Sequence, residues 1–193
     1  IQAHSVFFEN FIKMGRELKG LPEHPHIPKF FGLVGRSKGN SKAWVREYID
    51  GISLQQHLKK GPVTIQKALQ VISQIGSALD VLHQNRWIHR DIKPSNILVS
   101  RHEGHWKIID FDLAFQMDSD FPSKEDTPAG TVKYMAPEQF LKKPQASSDR
   151  YALGMLTYVL IAGEYPFSST LSDEEIKGIK WSEKYTHLYK KIP

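Results

Sequence analysis

Apolar residues recur with the period of an α-helix in two separate parts of the chain. In residues 7 to 21 they stand at steps of four and three, and in residues 65 to 82 they keep one helical register. The first stripe contains Phe7, Phe11, Met14, Leu18 and Leu21, and the second contains Ile65, Leu69, Ile72, Ile75, Leu79 and Leu82. Both patterns predict amphipathic helices with one face in a core. Pro22 and Pro25 end the first of them.

Short runs of β-branched and aromatic residues lie on both sides of the second helix and predict strands. IPKFFGLV (27 to 34) and AWVREYI (43 to 49) precede it, separated by a polar, glycine-bearing turn. WIH, NILV and KIID follow it in quick succession. Such runs, bounded by turn residues, are typical of strands. We therefore expect helices and sheet within one domain of ordinary size.

The most apolar stretch is YALGMLTYVLIAG, residues 151 to 163, which predicts a helix buried on all sides. It is far shorter than the roughly 20 residues that span a bilayer, so the sequence predicts no membrane segment. Farther along, Ser172 and Glu175 have the spacing of a capping box. This spacing predicts a last helix that runs to Trp181.

Composition narrows the class of protein. The 193 residues are 40% hydrophobic and 24% charged, as in a soluble globular protein, and the formal net charge is +5. The basic residues are scattered and form no stripe with aromatic residues, so we expect no nucleic-acid partner. The chain has no cysteine, which fits a reducing compartment, and we expect a cytoplasmic location.

Two carboxylates interrupt the apolar run KIIDFDLAF, residues 107 to 115. In an extended chain Asp110 and Asp112 share one face while Phe111 points to the other. Two acids on one wall suggest a bound cation. Taken alone, the pair also fits a strand that comes to the surface in a turn, where aspartate is common.

A second motif lies before this pair, in IHRDIKPSNILVS at residues 88 to 100. His89, Arg90 and Asp91 are followed by Lys93 and by Asn96, five residues after Asp91. Asp110, nineteen residues after Asp91, and the later GTVKYMAPE complete an ordered series. The series resembles the catalytic loop, the Asp-Phe-Gly motif and the Ala-Pro-Glu motif of protein kinases. The resemblance covers nearly the whole chain, and it implies an α+β, two-lobed kinase-like fold.

The resemblance also implies a reaction, the transfer of the ATP γ-phosphoryl group to serine or threonine hydroxyls of a protein substrate. Asp91 would accept the hydroxyl proton, and Lys93 would balance charge beside the transferring group. Asn96 and Asp110 would hold Mg²⁺, which prefers hard oxygen ligands. His89 and Phe111 would be core residues. Arg90 resembles the arginine of kinases whose activation segment is ordered by phosphate, for which Ser123 and Thr127 are candidate sites.

Three further residues are implied to form the adenine pocket. The segment AWVREYIDG resembles the strand and hinge that hold adenine in the family. By that match the backbone of Glu47 and Ile49 would meet the purine edge, and Leu98 would form the floor of the pocket. The expected cofactors are therefore ATP and Mg²⁺.

The sequence departs from the family pattern at several positions. A glycine-rich loop and the strand lysine that contacts ATP phosphates are absent, and Met14 stands where the family has an ion-pairing glutamate, with Glu17 as a possible substitute. Asp112 replaces the glycine of Asp-Phe-Gly, and we expect it to tolerate the positive φ that the turn can demand. No arginine follows Arg150 to pair with Glu138.

The losses at the two ends favour a partial catalytic domain. In this interpretation residues 1–49 are the remnant of a β-rich N-lobe with its αC-like helix, and residues 50–193 are a mainly helical C-lobe that stops before its last helices. We expect these 193 residues alone to transfer no phosphate. Two alternatives remain: a catalytically impaired pseudokinase scaffold that binds nucleotide or a partner protein, and a kinase of the same fold that acts on small molecules.

Overall fold

The computed structural model describes residues 12–35, 42–117 and 130–181. Its first element is helix α1 (12–19), which lies within the predicted helix 7–21, of which residues 7–11 are outside the described residues. Strand β1 (Phe30–Gly35) then pairs antiparallel with β2 (Lys42–Arg46), with an irregularity between Phe30 and Gly32. The two predicted strands are therefore confirmed, although β1 begins three residues later than its apolar run.

Two small sheets surround the segment that carries the motifs. Strands β3 (Gly51–Ser53), β5 (Ile97–Ser100) and β6 (Trp106–Ile108) form an antiparallel sheet with β5 in the centre. Strand β4 (Trp87–Ile88) pairs with β7 (Phe115–Gln116). The chain between β4 and β5, and the chain between β6 and β7, therefore meet at one end of these sheets.

Helices make up most of the remaining described chain. They are α2 (Leu54–Leu58), α3 (Ile65–Gln84), α4 (Pro137–Phe140), α5 (Ala146–Ala162) and α6 (Asp173–Trp181), with a 3₁₀ turn at Pro94–Asn96. Thr64 caps α3 by accepting the Lys67 amide, and Ser172 and Glu175 form the predicted capping box of α6.

Helices α3 and α5 pack against each other and supply much of the core. The apolar stripe of α3 buries Ile75, Leu79 and Leu82, and α5 contributes Met155 and Leu156. The prediction that α5 is buried on all sides is wrong at its end, because Ile161 is 48% exposed. This end of α5 borders a groove, described below, and is not covered by another element of the described chain.

The predicted α+β class is confirmed, with β1, β2 and α1 in the first part of the chain and mainly helices in the second. Within residues 12–35, 42–117 and 130–181, no helix combines the length and the apolar character needed to cross a membrane.

Candidate active site

A buried carboxylate of α5 accepts hydrogen bonds from the backbone of the loop between β4 and β5. Asp149, 1% exposed, accepts the backbone N–H groups of His89 and Arg90, each at 2.9 Å. His83 of α3 also lies 2.8 Å from the same carboxylate. Arg90 has a φ of 68°, in the left-handed region that most residues avoid. Asp149 therefore stabilises the backbone bend at Arg90, the residue that precedes Asp91.

Asp91 is the centre of a polar cluster. Its Oδ1 accepts the Thr131 hydroxyl at 2.8 Å, and its Oδ2 lies 2.6 Å from Lys93 Nζ and 2.9 Å from Asn96 Nδ2. Lys93 Nζ also donates to the Thr131 hydroxyl at 2.9 Å. Asp91 is only 6% exposed, so these contacts hold a nearly buried carboxylate in one orientation, with the ammonium of Lys93 beside it.

Asn96 and Asp110 offer oxygen atoms next to this cluster. The amide nitrogen of Asn96 is committed to Asp91, since it donates to both the backbone and side-chain oxygens of that residue. This leaves the amide oxygen as an acceptor, approached by the Ser95 hydroxyl at 3.3 Å. Ile109 donates its amide to the Asn96 carbonyl at 2.8 Å, which brings the exposed Asp110 beside Asn96. This pair of hard oxygen donors fits a divalent magnesium ion.

The two aspartates of the Asp-Phe-Asp motif do not occupy equivalent places. Strand β6 ends at Ile108, so the alternation expected for an extended chain does not reach Asp112. Asp110 has a φ of 65°, and Asp112 is not among the described non-glycine residues with positive φ. The expectation that Asp112 takes the positive φ is therefore wrong, because the chain already bends at Asp110, whose Oδ1 lies 3.4 Å from the Asp112 amide.

Phe111 points away from both acids into the core, as predicted. Its ring meets His89 at 5.0 Å and Phe30 of β1 at 5.1 Å between centroids, both edge to face. Burial lowers the pKa of His89, against the attraction of Asp149, Asp91 and Asp110. His89 is therefore a neutral packing residue, consistent with its prediction as a core residue.

The predicted adenine-pocket residues lie on neighbouring strands and their connection. The backbone N–H of Glu47 donates to the Lys29 carbonyl at 2.8 Å, and its side chain pairs with Lys107 of β6. Lys107 is opposite Leu98 across the β5 and β6 pair, and Ile49 is buried at 9% exposure. Burial would raise the pKa of Glu47, but the Lys107 ammonium and the Lys29 amide outweigh it and lower the pKa.

A further segment also contacts the loop between β4 and β5. We call residues 130–136 the platform segment. Besides the Thr131 contacts, the neighbouring Gln139 donates to the carbonyl of Arg90 at 3.0 Å. Tyr134 is buried, and its hydroxyl bonds that of Tyr165; burial and this bond raise its pKa. A groove of about 860 Å³ adjoins the segment, and its lining includes Lys93, Thr131, Tyr134 and Glu164.

The structure shows which contacts are made at two positions where the sequence departs from the family pattern. The Ser148 and Ser147 hydroxyls at the start of α5 donate to Glu138 Oε1 at 2.6 and 3.4 Å, where the sequence lacks the arginine. On α1, Met14 packs against the core, while Glu17 lies 3.8 Å from Lys13 on the same helix. Glu138 is therefore held by hydroxyl donors, and the one described ion pair of Glu17 is local.

Other predicted features lie partly or wholly beyond the described residues. Ser123 and Thr127 are outside them. Arg90 was predicted to pair with a phosphorylated side chain. Its Nε donates to the Leu113 carbonyl at 2.5 Å, and its guanidinium lies over the Phe115 ring. The described residues contain no group of three or more histidine, cysteine, aspartate or glutamate side chains that could hold a metal ion, and His102 belongs to the turn between β5 and β6.

Sequence reasoning missed three buried polar side chains near the site: Lys107, Gln139 and Lys180, each no more than 5% exposed. Lys107 stands inside a strand, between the buried Trp106 and Ile108, which was an available signal. Lys180 lies one helical turn after the buried Ile176, so helical spacing could have placed it on the inner face of α6. We found no comparable signal for Gln139.

Comparison with known proteins supports the resemblance. A model of the protein kinase domain matches residues 8–191. The chain is 33% identical over 167 residues to the probable serine/threonine-protein kinase PknB of Lactococcus lactis, covering 83% of this chain and 26% of the relative. It is 34% identical over 163 residues to the serine/threonine-protein kinase PrkC of Bacillus subtilis, covering 83% and 24%.

A third relative, the serine/threonine-protein kinase C of a Synechocystis species, is 34% identical over 182 residues, covering 91% of this chain and 34% of the relative. The chain therefore spans between about a quarter and a third of the length of these curated relatives.

Proposed function

The chain belongs to the protein kinase domain family, and we propose that it transfers the γ-phosphoryl group of ATP to serine and threonine hydroxyls of a protein substrate. The observation that carries this proposal is the cluster around Asp91, in which Lys93, Asn96 and Thr131 orient one nearly buried carboxylate. Phosphoryl transfer depends mainly on positioning and charge neutralisation, and this cluster supplies both.

In this proposal Asp91 orients the substrate hydroxyl and accepts its proton, while Lys93 stabilises negative charge on the transferring group. Asn96 and Asp110 would hold magnesium, which when bound neutralises phosphate charge. The backbone of Glu47 and Ile49 would meet the adenine edge above Leu98. The groove beside the platform segment would take the protein substrate, because it opens next to Lys93 and Thr131.

The names of the relatives support serine and threonine as acceptors. The division of the chain into residues 1–49 and 50–193, its failure to transfer phosphate alone and its cytoplasmic location stay predictions.

Replacing Asp91 with Asn tests the assignment of the base. We expect the full-length protein that carries this chain to phosphorylate a generic protein substrate with labelled ATP and Mg²⁺, and Asp91→Asn to lower the rate at least about 100-fold, because the amide cannot accept the proton. Asp80→Asn, at an exposed position of α3, should leave the rate unchanged. Phosphoamino-acid analysis would identify the acceptor, and phosphotyrosine alone would contradict the assigned class.

A pseudokinase scaffold is the second candidate, and the contacts of α1 favour it. Met14, at the position of the family glutamate, is partly buried and packs against the core, and Glu17 pairs with Lys13. In that case the full-length protein would bind ATP in a fluorescence titration but would transfer no phosphate, with or without Asp91. Phosphate transfer that depends on Asp91 would exclude the scaffold.

A further inference from the structure

Lys180 is a lysine in the last turn of α6 that faces the interior. Only 4% of it is exposed, and Ile176, one turn earlier on the same face, is fully buried. Lysine is rarely buried to this extent without compensating partners, because taking an ammonium out of water is costly. Its contacts therefore have to account for its burial.

The ammonium of Lys180 is bonded by backbone carbonyls of the platform segment. Nζ donates to Val132 at 2.7 Å, to Lys133 at 3.1 Å and to Met135 at 2.7 Å. An ammonium has three N–H donors, so the three carbonyls use all of them. Among the described residues no carboxylate lies within ion-pair distance of Lys180, so its main hydrogen-bond partner is one short piece of backbone.

Two aromatic rings complete this environment. Nζ lies 5.2 Å from the ring centre of Tyr151 on α5 and 5.4 Å from that of Phe167. Burial lowers the pKa of Lys180 to about 7, whereas carbonyl dipoles and ring faces favour the charged form. The contacts thus connect α6, α5 and the platform segment through a single side chain.

The carbonyls that Lys180 binds belong to the turn that presents Thr131. The Thr131 carbonyl accepts the amides of Tyr134 at 2.8 Å and Met135 at 3.0 Å, which closes the turn on itself. At its other side the Thr131 hydroxyl contacts both Asp91 and Lys93. Thr131 and Tyr134 also line the groove proposed to take the protein substrate, so a shift of the turn would change the shape of that groove.

We propose that Lys180 is a positioning residue for the protein substrate, which fixes the backbone of the platform segment in the conformation that accepts the substrate chain. This inference rests on the proposed kinase function for its substrate. Lys180 contacts backbone carbonyls of the segment, whereas Asp91 contacts the Thr131 hydroxyl, so Lys180 acts through the segment. It should therefore affect the protein substrate more than ATP.

A comparison of three variants of the full-length protein tests this role. Lys180→Met keeps the length of the side chain but removes the charge and the donors, and Lys180→Arg keeps the charge. Lys177→Met is the control on the same helix, since Lys177 is 38% exposed in its side chain and pairs with Glu174. Assays would be run at about pH 6.5, where the ammonium is populated.

We expect Lys180→Met to raise KM for a peptide substrate about tenfold, with KM for ATP and the slow hydrolysis of ATP by water within about twofold of wild type. Lys180→Arg should return the peptide KM to within about threefold, and Lys177→Met should leave it unchanged. An unchanged peptide KM in Lys180→Met, or an equal loss of ATP hydrolysis, would overturn the proposal.

Hydrogen exchange provides a readout that does not need activity. In Lys180→Met the amides of Tyr134 and Met135 should exchange at least about tenfold faster, while those in the middle of α3 keep their rates. Equal acceleration throughout the protein would show a general loss of stability and contradict a local role. If the wild-type protein transfers no phosphate, the proposed function fails, while exchange still decides whether Lys180 holds the segment.

Discussion

Asp110 has a backbone conformation that few residue types adopt. Its φ of 65° lies in the left-handed region, where aspartate and asparagine are the most tolerated residues after glycine. Aspartate therefore suits two purposes at this position, because it accepts the bend and would supply an oxygen ligand to the proposed magnesium ion. Asp112, two residues later, has neither the bend nor a described side-chain contact that requires it.

The two aspartates can be separated by substitution in the full-length protein. Asp110→Ala should abolish phosphate transfer, because it removes a proposed magnesium ligand. Asp112→Gly should leave the rate within about tenfold, a change of roughly 1.4 kcal/mol in the barrier. Kinetics measured over a titration of Mg²⁺ would decide between them.

Asp110→Asn is the matched control for this pair, since asparagine tolerates the same φ and has nearly the same shape. Its inactivity, with an unchanged melting temperature, would assign the effect to the lost charge. If Asp112→Gly is as inactive as Asp110→Ala, the second aspartate is itself a ligand.

The spacing of residues predicted which side chains share the site, but it did not predict their backbone conformations. Asp91 and Asn96 come together as the resemblance implied, and the pairing of β5 with β6 brings Asn96 beside Ile109, the residue before Asp110. The bend at Asp110 was assigned to Asp112, because the family pattern shows only which residue is replaced and gives no angles. The burial of Lys180 was not predicted, because a lysine at a helix end is usually solvated.

At the scale of elements, the platform segment depends on a close approach of two loops. Gly130 has a φ of 130°, and a Cβ at this position would lie 2.9 Å from the carbonyl oxygen of Arg90. Arg90 itself is held by Asp149 at its amide. A side chain at residue 130 would therefore push the platform segment away from the catalytic loop.

Gly130→Ala should lower the free energy of unfolding by about 1–3 kcal/mol, because φ is unfavourable and the new methyl group meets backbone. Phosphate transfer should fall further than this loss explains, because Thr131 moves away from Asp91. Denaturant unfolding and steady-state kinetics of the full-length protein would measure the two effects.

Gly104→Ala is a control outside the groove, since Gly104 also has a positive φ, of 68°, and a Cβ added there would meet no neighbouring heavy atom within 4 Å. It should show the cost of φ without the contact and without a change in activity. Equal activity of the two variants would mean that the platform segment does not need its close approach.

Helices were predicted more accurately than the contacts between elements. The start of α3 at Ile65 and the capping box of α6 follow from local patterns, and both were confirmed, whereas α3 ends at Gln84, two residues beyond its predicted apolar stripe. The pairing of β3 with β5 joins residues that are more than forty positions apart, and the bond from Ser148 to Glu138 depends on how α4 meets α5. No local pattern encodes such contacts, since they arise only when the elements pack.

At the scale of the whole molecule, several histidines lie in environments that disfavour their protonated form. Burial lowers the pKa values of His24, His26 and His89 below their ordinary value of 6.5. As pH falls below this value, the unfolded chain takes up protons at these positions before the folded chain does. The free energy of unfolding therefore decreases on mild acidification.

We expect the free energy of unfolding to fall steadily between about pH 7 and pH 5.5, as measured by urea denaturation at several pH values. His26→Asn should reduce the slope, because it removes one group that binds a proton only when unfolded. His102→Asn, at a side chain that is 82% exposed, should keep the wild-type slope. Stability that is constant or increases on acidification would contradict the expectation.

The hydrogen bonds of Asp149 have a consequence for the synthesis of the protein. They join this carboxylate to amides 59 and 60 residues earlier in the chain, at Arg90 and His89. At roughly 5–20 residues per second, the ribosome needs on the order of 3–12 s to add the intervening residues. During that interval nothing from α5 holds the bend at Arg90. A nascent chain therefore acquires the geometry around Asp91 only after translation has passed α5.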